Sequence, residues 1–173
     1  IALGVKLFGE WSQEANETLE DMGKLETAFT TSGWTAEQAQ TSFKGFVGIL
    51  GETDQSVEAV NHLAKLCSTE EELAQWTDIA AGIYATFGDS LPIEGLTEAA
   101  NETAKVGQIT GPFADAVNWA TQSTEDWSKA LEGHPKPQAA MVKGLKDGMS
   151  AEDAFNEALK ACNGETERSQ LVT

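Results

Sequence analysis

The sequence predicts an all-α protein, a compact array of about eight to nine short helices with no substantial sheet. Apolar residues recur at steps of three and four along most of the chain, which puts them on one side of a helix. Serine, threonine or aspartate precedes many of these stripes, and glycine often follows them, as at helix ends. Only the segment from Ile1 to Phe8 reads equally well as a strand or as the tail of a helix.

Start and stop signals divide the first half of the chain into four predicted helices. A helix begins where a polar side chain accepts hydrogen bonds from its first turn, and it ends where glycine allows the chain to turn away. The start signals are Ser12, Thr35 with Gln38 as a capping box, Thr53 or Asp54, and a second capping box over Ser68-Thr69-Glu70-Glu71. The stop signals are Ser32-Gly33, Gly51 and Gly88.

The second half of the sequence predicts shorter helices and one clear interruption of the helical pattern. The start signals are Asp89 or Ser90 before Pro92, Thr110-Gly111-Pro112, Ser123 or Thr124, and Ser150, with a last helix from Glu165 to Val172. The break is Gly133-His134-Pro135-Lys136-Pro137, because two prolines do not fit a helix interior. We therefore expect a main helical domain over 1–132, a loop over 133–137, and C-terminal helices over 138–173 that pack on the same domain.

Five tryptophans are the largest apolar side chains of the sequence. We assign Trp76 and Trp119 to the core, because they fall on apolar helix faces. Trp11, Trp34 and Trp127 are predicted to be partly exposed, and they are the candidate residues for contact with a partner.

The charge and hydropathy of the chain exclude some function classes. A net charge of −17 repels nucleic acid and anionic membrane surfaces, so we expect no direct nucleic-acid binding. The apolar run from Ile79 to Ala85 contains Gly82 and is too short to cross a bilayer, so we expect no transmembrane segment.

Because the chain begins at Ile1 without methionine, we expect it to be part of a longer protein.

The residue types that usually carry chemistry form no recognisable catalytic or metal-binding set. Cys67 and Cys162 fall at apolar helix positions and are predicted to be buried free thiols, with a single disulfide as the alternative. His62 and His134 have no further ligands at zinc spacing. We therefore expect no metal, no cofactor and no enzymatic activity; a hydrolase that uses carboxylates such as Glu94 and Glu98 is the enzymatic alternative.

Several stretches of the sequence carry a family resemblance. They are Gly48 to Ala59, Asn61 to Leu66, Ile83 to Lys105, and Ala151 to Asn156. These stretches resemble a region of the tape measure proteins of long-tailed bacteriophages and related prophages. The resemblance covers about Ala28 to Trp119 and then Ser150 to the end of the chain.

The resemblance implies a structural role. Tape measure proteins are long, mostly helical chains that lie inside the growing tail tube in several copies, and their length sets the tube length. It implies a virion-tail location, with the bacterial cytoplasm during assembly, and tail-tube proteins, tail-tip proteins and other copies of the parent chain as partners. The alternative is a protein-binding helical module that contacts a tail or host-envelope protein.

A straight ruler does not fit this sequence, because helix breaks occur about every fifteen residues, which is about four turns. We therefore expect a compact helical module, with the measuring rod elsewhere in the parent chain.

Overall fold

The computed structural model describes residues 13–173, and most of these residues are helical. They form ten α-helices and one 3-10 turn, and this part of the chain contains no strand. The predicted all-α fold class is therefore confirmed. The predictions for Ile1 to Phe8, Trp11 and Ser12 lie outside the described residues.

The helices are short, and most of the connections between them are tight. Helices α1 to α4 are Gln13–Thr31, Ala36–Leu50, Thr53–Leu66 and Glu70–Phe87, and the 3-10 turn Gly88–Ser90 follows them. Helices α5 to α10 are Ile93–Val106, Gly111–Ala120, Thr124–Ala130, Pro135–Lys146, Ala151–Ala161 and Glu165–Val172.

The chain divides into two compact units. Unit 1 ends at Thr86, and unit 2 begins at Phe87 and runs to Thr173. The boundaries predicted from the sequence, 1–132 and 138–173 around the loop, stay predictions.

Unit 1 is built around α1, α2 and α3, each of which packs on the other two. Their apolar stripes supply a core in which several large side chains are almost fully buried: Leu25, Phe29, Phe46, Val60 and Leu63. Helix α4 lies beside α2, where Gln38 hydrogen-bonds to Glu70 and Gly45 faces the Thr77 methyl group. These two contacts are seven residues apart on both helices, so α2 and α4 run in the same direction.

Unit 2 is a chain of helix pairs. Helix α5 packs on α6 and α10, α9 packs on α6 and α8, and α7 packs on α8. An aromatic cluster joins three of these helices, since the ring centroid of Phe155 lies 5.9 Å from that of Phe113 and 5.7 Å from that of Trp127.

Most predicted helix ends are confirmed. Thr35 and Gln38 form the first capping box, in which the Gln38 side chain accepts from the Thr35 N–H at 2.7 Å and the Thr35 hydroxyl accepts from the Gln38 N–H at 3.2 Å. Ser123 and Ser150 cap α7 and α9 as predicted. Gly51 ends α2 with a φ of 73°, in the left-handed region that favours glycine.

Two predicted helix starts are shifted. The second capping box joins Thr69 and Glu72, one residue later than predicted, because Glu72 accepts from the backbone N–H of both Ser68 and Thr69. Pro92 precedes α5 as its N-cap and is not part of its first turn.

The predicted loop over 133–137 is shorter than expected, because α8 begins at Pro135. The first turn of a helix has no intrahelical partner for its N–H groups, so Pro135 and Pro137 both fit there.

Candidate interaction site

The sequence predicts that Trp76 and Trp119 lie in the core, and only one of them does. Trp76 is 1% exposed, as predicted. Trp119 is 53% exposed, so its predicted burial is wrong. Helix α6 turns Phe113 and Val117 inward, and Trp119, two residues beyond Val117, points to the other side. Its ring stacks on Phe87, with the two centroids 5.0 Å apart.

The three candidate contact residues have different environments. Trp34 is half-buried, and its Nε1 donates to the carbonyl of Ala64 at 3.0 Å. Trp127 is 9% exposed and donates to the carbonyl of Thr121 at 2.8 Å, so its predicted partial exposure is wrong. Trp11 lies outside the described residues. Contact of these side chains with a partner stays a prediction.

The two cysteines are free thiols. Burial raises the pKa of Cys67 to about 12, and a smaller burial raises the pKa of Cys162 to about 11. The predicted burial is confirmed for Cys67, whereas Cys162 is only half-buried. Both thiols are therefore protonated at neutral pH and weak as nucleophiles.

The histidines and carboxylates are dispersed over several elements. Among residues 13–173, no group of three or more histidine, cysteine, aspartate or glutamate side chains is arranged to hold a metal ion. The Nδ1 atom of His134 lies 3.2 Å from a Glu167 carboxylate oxygen and links the starts of α8 and α10. Glu94 and Glu98 both lie on α5, where Glu94 is half-buried and Glu98 is exposed.

One concave surface is a groove between α2 and α4 in unit 1, which we call the α2/α4 groove. It encloses about 780 Å³. Its lining residues from α2 and the preceding turn are Thr35, Glu37, Gln38, Thr41, Ser42 and Gly45, and those from α4 are Glu70, Leu73, Ala74, Thr77 and Asp78.

Small side chains make the floor of the α2/α4 groove. A Cβ atom at Gly45 would lie 3.2 Å from the Thr77 methyl carbon, so the two helices approach closely at this point. Leu73 and Ser42 are buried beneath the surface, and Ala74 is exposed. The bond between Gln38 and Glu70 closes one end of the groove.

The rim of the α2/α4 groove is acidic. Glu37, Glu70 and Asp78 line it and are all exposed, and none of the lining residues is lysine, arginine or histidine. Sequence reasoning missed this surface, because small residues on two separate helices have no recognisable pattern until the helices are brought together.

Two further pockets are smaller or more polar. One encloses about 670 Å³ where the turn before α2 meets the end of α3 and the start of α4, beside Trp34 and Cys67. The other encloses about 450 Å³ around His134 and Glu167.

Comparison with known proteins identifies no relative: no protein family, curated protein or solved structure matches the chain. None of the described helices is both long enough and apolar enough to cross a membrane.

Proposed function

We propose that this chain is a non-enzymatic structural module of a phage tail tape measure protein. In this role it contributes to tail assembly and to the determination of tail length inside the tail tube. The observation that carries the proposal is that the stretches resembling tape measure proteins form helix junctions and buried helix faces.

Two junctions and one buried helix face illustrate this use of the resembling stretches. Gly51 ends α2 and Thr53 begins α3 only two residues later. In the Ile83 to Lys105 stretch, Leu91 and Ile93 bracket Pro92 and are 3% and 1% exposed, so they anchor the turn into α5. In the Ala151 to Asn156 stretch, the buried Ala151, Ala154 and Phe155 face the core of unit 2. These residues support packing, which is the role expected of a structural module.

The folded geometry also supports a module that is distinct from the measuring rod. The longest described helix, Gln13–Thr31, has 19 residues, which corresponds to about 28 Å at 1.5 Å per residue. Tail lengths set by an extended helical chain require much longer unbroken segments, so the rod is assigned to other parts of the parent chain. The acidic surface is compatible with a site beside passing DNA, since it repels a polyanion.

Purified virions test the location of the chain. Mass spectrometry of tails separated from heads is expected to find its peptides, together with those of tail-tube and tail-tip proteins. If the peptides are absent from the tails of particles whose genome encodes the chain, the proposal is wrong.

Tail-length measurement separates the module from the rod. An in-frame deletion of the segment encoding residues 13–173 is expected to disturb tail assembly or to make tail lengths irregular, without shortening the tube in proportion to the deleted length. The control deletes an equal length of uninterrupted predicted helix from the same gene, and electron microscopy is expected to show proportionally shorter tails. Normal tails from the first deletion would contradict a role in assembly.

A protein-binding module is the second candidate, because unit 2 exposes an aromatic pair. Trp119 remains 53% exposed although it stacks on Phe87. Exposed tryptophans are common anchors of protein interfaces. Replacing Trp119 with alanine is expected to abolish capture of tail or host-envelope proteins if this candidate is correct, and to leave tail assembly unchanged.

A further inference from the structure

The α2/α4 groove is an open furrow between two parallel helices. Two helices that lie side by side in the same direction leave a furrow between them, and a third helix packs naturally into such a furrow. The furrow here has a volume of about 780 Å³, and small side chains line its floor. Helix α4 contacts α2 at the floor of the furrow through Gly45 and Thr77.

The floor of the groove favours a close approach by the incoming helix. Ser42, Gly45, Ala74 and Thr77 carry no side chain larger than that of threonine. The Thr77 hydroxyl donates to the carbonyl of Leu73 at 3.2 Å, so it is satisfied within its own helix. An apolar stripe can therefore cover the floor without leaving this hydroxyl unpaired.

The rim of the groove specifies the charge of the occupant. Glu37 stands on the α2 side, and Glu70 and Asp78 stand on the α4 side, with no cation among the lining residues. A helix flanked by acidic residues would be repelled from both sides, whereas lysine or arginine beside an apolar stripe would meet a carboxylate on each side.

We propose that the α2/α4 groove binds a basic amphipathic helix of another protein, with small apolar residues against its floor and lysine or arginine along its rim. This mode of recognition places an amphipathic helix in a groove between helices. The inference uses only residues of unit 1, and it is independent of the tape measure assignment.

Peptide binding to the whole 173-residue chain tests the proposal. The probes are fluorescent helical peptides of about 16 residues, or roughly four turns. They share one face of alanine and leucine and differ only in flanking lysine, glutamine or glutamate. Fluorescence anisotropy at physiological ionic strength is expected to show that the lysine peptide binds about tenfold more tightly than the glutamine peptide, as for two or three exposed ion pairs. Failure of the lysine peptide to bind would overturn the proposal.

A substitution that blocks the floor of the α2/α4 groove tests whether the lysine peptide binds there. Ala74→Trp places a large ring over the exposed floor and is expected to weaken binding of the lysine peptide at least about tenfold. Gln75→Trp is the matched control, because Gln75 is the exposed neighbour that does not line the groove. Equal binding by the two variants would overturn the proposal, and circular dichroism checks that both remain helical.

Charge removal distinguishes groove binding from general attraction to an acidic protein. The double variant Glu37→Gln/Asp78→Asn is expected to bind the lysine peptide no better than the glutamine peptide. The control double variant Glu58→Gln/Glu71→Gln removes the same charge from exposed positions outside the lining and is expected to retain the lysine preference. Equal losses in the two double variants would overturn the proposal.

Sedimentation tests whether the occupant is a second copy of this chain. We expect the wild-type chain and Ala74→Trp to sediment alike. A wild-type dimer that Ala74→Trp dissociates would assign the groove to self-association and overturn the proposal.

Discussion

The two units of the chain use helices of different length, and they secure helix ends differently. In unit 1 the four helices have 19, 15, 14 and 18 residues. In unit 2 the six helices have 14, 10, 7, 12, 11 and 8 residues. A shorter helix leaves a larger share of its backbone groups without an intrahelical partner, because every helix has four such N–H groups and four such carbonyls.

In unit 2, side chains from distant parts of the sequence form hydrogen bonds with the backbone groups at helix ends. Arg168 on α10 donates to the carbonyls of Ala104 and Lys105, in the last turn of α5, at 2.5 Å and 3.0 Å. Asn156 on α9 accepts from the backbone N–H of Ile109 at 2.8 Å, just before α6. In unit 1 the corresponding feature is Trp34, which donates to Ala64 near the end of α3. The short helices of unit 2 thus depend more than the longer helices of unit 1 on hydrogen bonds from side chains that are distant in the sequence.

The largest expected effect concerns what the units share, an apolar core. Phe155→Ala in unit 2 and Phe29→Ala in unit 1 remove rings that are 1% and 0% exposed. Each is expected to lower the free energy of unfolding by about 3–5 kcal/mol, because a cavity remains where the ring packed. Urea unfolding followed by circular dichroism measures both. A loss below about 1 kcal/mol in one variant would show that the core of that unit contributes less than its burial implies.

A smaller change in the free energy of unfolding is expected from the hydrogen bonds at helix ends, in which the two units differ. Arg168→Ala removes two charge-assisted hydrogen bonds and is expected to cost about 1.5–3 kcal/mol. Trp34→Phe removes one neutral hydrogen bond in unit 1 and is expected to cost about 1 kcal/mol. Arg168→Lys keeps the charge without the planar donor fork and is expected to restore only part of the loss.

Hydrogen exchange tests the same contrast locally. Arg168→Ala is expected to accelerate amide exchange over Glu165–Val172, because Arg168 holds α10 on α5. The contrast between the units is refuted if Arg168→Ala costs no more than Trp34→Phe.

Two helical glycines provide a comparison in which the same change has opposite signs. Gly82→Ala in α4 meets no atom within 4 Å and is expected to stabilise unit 1 by about 0.5–1 kcal/mol, because glycine disfavours a helix interior. Gly144→Ala would place its Cβ 2.9 Å from the Cβ of Ala154 and 3.0 Å from its Cα. Helices α8 and α9 would have to separate, so a net loss of about 1 kcal/mol is expected.

Thermal unfolding of the two glycine variants checks these signs. If Gly144→Ala raises the midpoint as Gly82→Ala does, the close approach of α8 and α9 in unit 2 does not limit packing there.

Local signals made most helix ends predictable from the sequence. The Thr35–Gln38 capping box and the glycine at 51 act within a few residues, so the sequence displays the whole interaction. The Ser68–Glu71 box was placed one residue early because consecutive serine and threonine, followed by consecutive glutamates, offer two registers of the same pattern. The structure has the second register, with Thr69 and Glu72.

Contacts between distant elements were not predictable in the same way. No pattern near Arg168 indicates that its partners are the carbonyls at 104 and 105, because any helix end could receive the guanidinium. The same limit applies to the α2/α4 groove, which depends on the pairing of Gly45 with Thr77. The prediction for Trp119 is wrong because a large apolar ring suggests burial, whereas the helix face that Phe113 and Val117 define excludes position 119.

Each unit contains one cysteine, and the rate at which that thiol reacts indicates how readily the unit exposes it to solvent. The pKa of Cys67 is raised to about 12 and that of Cys162 to about 11, both chiefly by burial. Because the thiolate is the reactive form, Cys162 is expected to react with a thiol reagent at pH 8 about tenfold faster than Cys67. Mass spectrometry of partially labelled protein measures both rates, with Cys162→Ser as the control. Equal rates would mean that unit 1 opens around Cys67 as readily as unit 2 does around Cys162.

The smallest expected effect is a dependence on pH at the start of α10. The Glu167 carboxylate accepts from the backbone and side-chain nitrogens of Asn163, each at 2.7 Å, and lies 3.2 Å from the Nδ1 of His134. The backbone hydrogen bond from Asn163 lowers the pKa of Glu167 from its ordinary value of 4.5, and the bond from His134 lowers it further. These contacts favour the ionised carboxylate in the folded chain.

A lowered pKa means that this stabilisation is fully present above pH 4.5 and is lost as the pH falls through the folded-state value. Glu167→Gln is therefore expected to lower the thermal midpoint at neutral pH, and the difference from wild type should shrink below about pH 4.5. Comparing midpoints at each pH removes the common effect of the other carboxylates, and Glu165→Gln, at an exposed neighbour, serves as control. A constant difference across this range would show that the Glu167 side chain acts through its shape, since an effect of its charge must disappear once the carboxylate is protonated.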